Sequence, residues 1–265
     1  MTTTIPTAPD LQTRRPPSYV PRGMSSTYLR LELRRRVRNV RTMIFSLLMP
    51  PVFFLMFGTS QAYRDEPAGN GNVTAYVLVS MALYGALLSA TSGGAGVSVE
   101  RAQGWTRQLR LTPLRPWAYV ATKLLAAMAL GALSVVVTLL VGSFVGAEMP
   151  LGVWIASGLI AWAGSFVFAA FGLFMGYLLP SENVMQILGP GIALLAFAGG
   201  LFVPLGDGWF ADVAKLMPTY GLAELTRAPL TGEGFTLTSV LNVVVWAALF
   251  SLGAAWRFRK DTARV

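Results

Sequence analysis

Residues 151–179 read LGVWIASGLIAWAGSFVFAAFGLFMGYLL, and their reading decides the fold. The stretch carries no Asp, Glu, Lys or Arg. About 20 mainly apolar residues suffice to cross a hydrocarbon core roughly 30 Å thick. The run is apolar on all sides instead of alternating, which excludes a barrel strand. Lipid also offers no partner to an unpaired backbone group, so the stretch is expected to be helical.

Working outward, five more stretches meet the same criterion, giving six expected spans at about 43–60, 73–97, 117–145, 151–179, 184–205 and 237–256. The third is too long for a straight crossing, since about 29 residues rise about 43 Å. Either it tilts, or its first turns lie in the headgroup layer, which Trp117 and Tyr119 favour. Pro50-Pro51 falls inside the first span, where proline removes a donor and crowds the preceding turn. A hinge and a packed bend are both open readings there.

Composition agrees with a membrane protein. Of 265 residues, 54% are apolar and only 12% charged, about half the usual charged share of roughly 25%. Mean hydropathy is +0.56. The chain has no Cys and no His. That excludes a disulfide framework, thiolate and imidazole metal sites, and Cys–His or Ser–His nucleophiles.

The net charge of +9 reflects position, not nucleic-acid binding. Nine of the 21 basic residues precede residue 42, five lie between 101 and 123, and four follow 256. Only Arg64, Lys215 and Arg227 lie on the other side of the expected spans. By the positive-inside rule both termini and residues 98–116 are expected in the cytoplasm, with 61–72 and 206–235 outside. No signal peptide is expected, because the first apolar run begins near Met43.

Outside the spans, residues 1–24 are rich in Thr, Pro and Arg and are expected to be disordered. In 25–42, Leu29, Leu33, Val37 and Val40 recur at helical spacing among arginines. This predicts an amphipathic helix on membrane lipid at the inner leaflet, serving as an anchor alone or also contacting a partner. Residues 257–265 form a cytoplasmic tail. The segment VSVERAQGWTRQLRLTPLRPW, 97–117, is too polar to span. Glu100 to Leu111 is expected to form a short helix ended by Thr112-Pro113. A solvated loop needs no Gly104, Trp105, Leu109, Leu111 or Leu114, so the segment is read as a docking element for a cytoplasmic protein. In the outer segment, Trp209, Phe210, Val213, Leu216 and Met217 share a helical face before Pro218, and Tyr220 to Arg227 can form a second short helix.

Two ordered motifs carry a resemblance. The first is Glu100-Arg101, Gly104, Leu109, Leu111-Thr112-Pro113-Leu114, Trp117, Tyr119 and Lys123. The second is Gly199-Gly200-Leu201-Phe202-Val203-Pro204, then Pro218, Tyr220, Glu224 and Arg227. Together, across about residues 25–260, they resemble the ABC-2 type permeases, the membrane subunits of ATP-binding-cassette exporters. That group includes the daunorubicin-resistance-type drug permeases. Gly206-Asp207-Gly208 departs from the Leu-Pro often found there.

The resemblance implies an all-α integral membrane protein with six transmembrane helices, an N-terminal interface helix, a cytoplasmic coupling helix and short outer-face re-entrant helices. It also implies efflux of a lipophilic drug, antibiotic or lipid, and a second permease chain, identical or paralogous. A separate ATP-binding-cassette subunit would carry the ATP and Mg. This chain itself is expected to hold no cofactor, no metal and no catalytic residue. Coupling to the ATPase is expected at Glu100, Arg101, Gly104, Arg107, Leu109, Pro113 and Leu114, with Glu100 and Arg101 in polar contact. An outer gate or lid is expected at Gly199, Gly200, Pro204, Trp209, Pro218, Tyr220 and Arg227.

The residues support that division independently. No Gly-Lys dipeptide occurs, and a phosphate loop requires one. No carboxylate lies within a span, since Glu148 and Glu182 sit at span ends; ion coupling is disfavoured. Asn183 and Gln186 either meet cargo or bond between helices. Gly142/Gly146 and Gly172/Gly176 match small-residue packing patterns. Two other readings stay open: a membrane-anchored assembly or regulatory protein, and an ion-coupled secondary transporter.

Overall fold

The computed structural model describes residues 26–59, 64–105, 116–203, 205–206 and 208–263. Arg107, Leu109, Pro113 and Leu114 of the expected docking segment, and Pro204 of the expected outer gate, lie outside the described residues. Apart from a two-residue antiparallel ladder, β1 (Pro67–Ala68) with β2 (Gly71–Asn72), the described chain is helical. Its helices are α1 (Ser26–Val37), α2 (Val40–Gly58), α3 (Val73–Ala95), α4 (Val97–Ala102), α5 (Pro116–Ser143) and α6 (Leu151–Leu178). They continue with α7 (Val184–Ala198), α8 (Trp209–Ala214), α9 (Tyr220–Thr231) and α10 (Leu237–Ala263).

Helix α3 is the axis of the bundle. It is buried on nearly every side, and α2, α5, α6, α7 and α9 all pack on it. Asn72 starts it: its side-chain oxygen accepts from Ala75 N at 2.9 Å and Glu148 N at 3.1 Å, while its amide donates to Gly146 O at 2.8 Å. One cap therefore also fixes the α5–α6 connection to the same end. At the other end α3 runs almost directly into α4, with Gly96 helical between them.

Small residues let α6 cross α3 closely. A Cβ on Gly172 would strike the backbone of Thr91, and one on Gly176 would lie 3.0 Å from Ala95 O. The Gly172/Gly176 pattern is thus a packing notch. The Gly142/Gly146 pattern divides: Gly142 faces the Leu78 side chain, whereas Gly146 sits at φ +83° in a turn with open space around it.

Pro50 and Pro51 do not interrupt α2. Pro50 has no N–H, so the carbonyl of Ser46, one turn earlier, loses its usual donor. Ser89 Oγ of α3 and Ser134 Oγ of α5 donate to it instead, at 3.4 and 3.2 Å. Neighbouring hydroxyls thus serve the freed group.

Among the described residues, four helical stretches are long and apolar enough to cross a membrane: Val73–Ala102, Trp117–Ser143, Leu151–Leu178 and Leu237–Lys260. Met43–Gly58 and Val184–Ala198 are apolar but shorter. The expected fifth span, 184–205, therefore ends early. Leu201 N donates to Ala196 O and Gly200 N to Phe197 O, with Gly200 at φ +74°. This is the Schellman pattern, which glycine adopts without a Cβ penalty. The expected sixth span runs further than 256, because α10 stays helical to Ala263.

Exposed Leu48, Leu55, Leu140, Leu159, Leu194 and Leu252 are spread over α2, α5, α6, α7 and α10. Exposed apolar surface on so many helices calls for lipid or another chain to cover it.

Candidate functional site

Two polar constellations are built into the bundle, one at each end of α3. The first gathers α1, α4 and the start of α5. Lys123, with no solvent exposure, lies 2.7 Å from Glu32 Oε1 and hydrogen-bonds Glu100 Oε1. Tyr119 OH donates to Glu100 Oε2 at 2.7 Å, and Arg35 reaches Glu100 Oε1 at 2.7 Å. Arg36 pairs with Glu32 at 3.1 Å, and Tyr28 stacks on Tyr119. Burial alone would raise the Glu32 carboxyl. Lys123 and Arg36, helped by the Lys123 hydrogen bond and by Arg35, outweigh it and hold the group below its ordinary range. Burial first, then Glu100 and Glu32, push the Tyr28 phenol well above its ordinary value.

Two residues of the expected docking contact have partners inside the chain. The carboxylate of Glu100 is enclosed and satisfied there. Arg101 donates to Tyr177 O at 2.9 Å and Gly176 O at 3.4 Å, placing a cation at the C-terminus of α6, where the helix dipole favours one. The expected helix from Glu100 to Leu111 is interrupted: α4 ends at Ala102, Gly104 turns the chain at φ +70°, and 106–111 lie outside the described residues. Helix α1 departs from its expected amphipathic register as well. It turns Tyr28, Glu32 and Arg36 inward, while Val37 and Val40 stay exposed. Ions hold this helix more than an apolar stripe does.

Sequence reasoning missed the central role of Glu32 and Lys123. The signal was present: Glu32 is the single acid in an arginine-rich helix, and Lys123 is the single charge in 117–145.

Beside this network lies a cavity of about 150 Å³ whose lining includes the charged or polar side chains Arg35, Arg36, Asn39 and Glu100. It adjoins an open groove of about 650 Å³ between α2 and α7, floored by α3. Each helix contributes one face at three- or four-residue spacing: Phe45, Met49 and Phe53; Tyr84, Leu88 and Ser92; Met185, Gly189 and Ile192. Gln186 lines this groove and Glu182 stands at its mouth. Asn183 begins α7, exposed and without a capping hydrogen bond.

The second constellation centres on Arg227, which α9 buries among α3, α6 and α10. Its guanidinium donates to Ser80 Oγ at 2.9 and 2.8 Å, to Gly200 O at 3.0 Å and to Leu201 O at 2.7 Å, and lies 4.4 Å from the Tyr76 ring centroid. One side chain thus ties the end of α7 to α3. Gly199 and Gly200 are buried at this junction, as is Pro218 before α9. Thr219 Oγ1 donates to Leu195 O beside them. Tyr220 starts α9, half-buried, while Trp209 is exposed on α8, edge-on to Phe210.

Long apolar helices around a buried axis, with a charge network at one end and a guanidinium clamp at the other, define a multi-pass membrane protein. The chain belongs to the ABC-2 type transporter family, whose model matches residues 26–230. It is similar to YvfS, a candidate transport permease of Bacillus subtilis (strain 168), at 27% identity over 237 residues, covering 88% of this chain and 96% of that one. The protein is accordingly the membrane permease component of an ABC-2 type transporter, and the family implies an ATP-binding-cassette subunit beside it.

Proposed function

We propose that the chain is the transmembrane subunit of an exporter, moving a lipophilic drug, antibiotic or lipid outward across the cytoplasmic membrane. In this reading the chain makes six passes, with α2 and α7 as the two short ones, and both termini lie in the cytoplasm. ATP and Mg sit on the partner ATPase, and a second permease chain, identical or paralogous, completes the path. Residues 104–114 dock on the ATPase, with Arg107, Leu109, Pro113 and Leu114 at the contact.

The observation that carries this reading is the Glu32–Lys123–Glu100 network. It joins α4, which leads into the docking segment, to α1 and α5 without an exposed ion pair. A displacement of the docking segment therefore moves α1, which borders the groove. At the far end, Arg227 holds the turn after α7 as a closed outer lid.

The test is reconstitution of the permease with its ATPase in vesicles. Leu109→Asp should lower ATPase association or uncouple hydrolysis from transport, and Arg14→Ala should do neither. Normal assembly and transport by Leu109→Asp would mean that the segment is only a solvated loop.

A further inference from the structure

We propose that the groove between α2 and α7 binds an anionic amphiphile drawn from the inner leaflet, its headgroup at Arg36 and its hydrocarbon along α2, α3 and α7. The proposal rests on the transport reading and narrows its cargo to one charge type.

Three observations carry it. First, the groove and the smaller cavity are contiguous: Asn39, Ser46, Ser92 and Met185 line both. A molecule lying along Phe45, Met49, Phe53 and Ile192 meets charged groups of the network at one end and mainly apolar side chains, with Tyr84, at the other. At about 650 Å³, the groove falls within the range of about 300–1,000 Å³ for small-molecule sites. Second, the network as a whole carries more cations than anions. Arg35 and Arg36 balance Glu32 and Glu100 in the cavity wall, and Lys123, buried behind them, adds a third cation against those two carboxylates among the described residues. Third, Arg36 Nε–H is buried with no acceptor among the described residues, although Arg36 lines that cavity. A buried charged donor without an acceptor is costly, and a phosphate or carboxylate oxygen is the acceptor that suits a guanidinium. Glu182 opposes an anion only weakly, because it is exposed at the groove mouth and screened by water.

Two glycines on α7 allow a clean test. A Cβ added at either Gly189 or Gly191 meets no atom within 4 Å, but only Gly189 lines the groove. The full-length permease without ATPase is placed in phosphatidylcholine nanodiscs. It is titrated with dansyl-labelled undecanoate and with the trimethylammonium probe of equal chain length. The undecanoate should bind at least about tenfold more tightly. Arg36→Gln should bring that ratio close to one, and Gly189→Leu should weaken both probes about tenfold. Gly191→Leu should match the native chain.

Equal affinity for the two probes, tighter ammonium binding, or full binding by Gly189→Leu would each overturn the proposal. Displacement of the undecanoate by millimolar inorganic phosphate as readily as by an alkyl phosphate would also overturn it, since the site would then recognise free phosphate and not a lipid. The ATPase is absent from this assay, so a failure here leaves the docking reading standing, and failure of docking leaves this site standing.

Discussion

Replacing Lys123 with Met removes the ammonium that joins Glu32 to Glu100 while keeping an unbranched side chain of similar size. Lys123 makes two charge-assisted contacts and is fully buried. Hydrogen bonds to charged groups contribute about 1.5–3 kcal/mol each, so two bonds set a scale of about 3–6 kcal/mol. Removing one member of a buried ion pair costs about 3–5 kcal/mol by an independent measure. Arg35 stays on Glu100 and Arg36 on Glu32, so the lower end, about 3 kcal/mol, is expected. At about 1.4 kcal/mol per tenfold, α1 should open about a hundredfold more often. The chain contains no Cys, so a single Leu29→Cys on the half-buried side of α1 reports this opening by its maleimide labelling rate. Lys260→Met, at an exposed site, should leave the rate unchanged. Lys123→Arg should recover part of the protection. If Lys123→Met labels at the native rate and melts at the native temperature, ions do not hold α1 and the coupling route through them is wrong.

Arg227→Met leaves the buried carbonyls of Gly200 and Leu201 without their donor; at about 1–3 kcal/mol each, a loss of about 2–6 kcal/mol should appear as a lower melting temperature in detergent, with Arg227→Lys intermediate. Gly172→Ala should destabilise by about 1–3 kcal/mol, because its Cβ meets the Thr91 backbone, whereas Gly152→Ala, with nothing within 4 Å, should be neutral or slightly stabilising. Equal melting temperatures for those two variants would contradict the notch. The carboxyl of Glu32 lies below its ordinary value of 4.5 in the folded chain. Its contribution is therefore present above about pH 4.5 and is lost as pH falls through the lower folded value. Protection of Leu29→Cys should be flat from pH 8 to 5 and decline only in stronger acid; a decline near pH 6 would assign control to another group.

The apolar runs were enough to locate every long helix, because a continuous stretch of this length has one stable form in lipid. They misplaced ends where a few atoms decide. The fifth run continues to 205 in composition, but Gly200 in the left-handed region stops α7 at Ala198. Residues 257–263 look like a tail by charge, yet the helix continues through them. The polar sites were legible as residue types but not as partners. Glu100 and Arg101 stood out in a charged loop, and charge alone does not say whether a group faces water or a lysine twenty-three residues on. Arg227 was singled out as a gate residue, but its clamp on the end of α7 depends on a chain reversal that sequence spacing does not report. The serines that serve the Ser46 carbonyl left no pattern at all, since Ser89 and Ser134 come from two other helices.

The near-continuity of α3 and α4 has a mechanical consequence. From Gly96 to Asn72 the helix is about 36 Å long at 1.5 Å per residue. Taken as a rigid rod pivoting at Gly96, it has a short arm, Val97–Ala102, at the charge network and a long arm reaching the cap at Asn72. A swing of only about 10° about Gly96 carries the far tip through about 6 Å at that rise per residue, more than the width of a water molecule. A shift of about 1–2 Å in the short arm is thus enough to separate Asn72 from Gly146 and Glu148. A large stroke at the Asn72 end would need only a small one at the charge network, with the gain set by where one glycine falls along the rod.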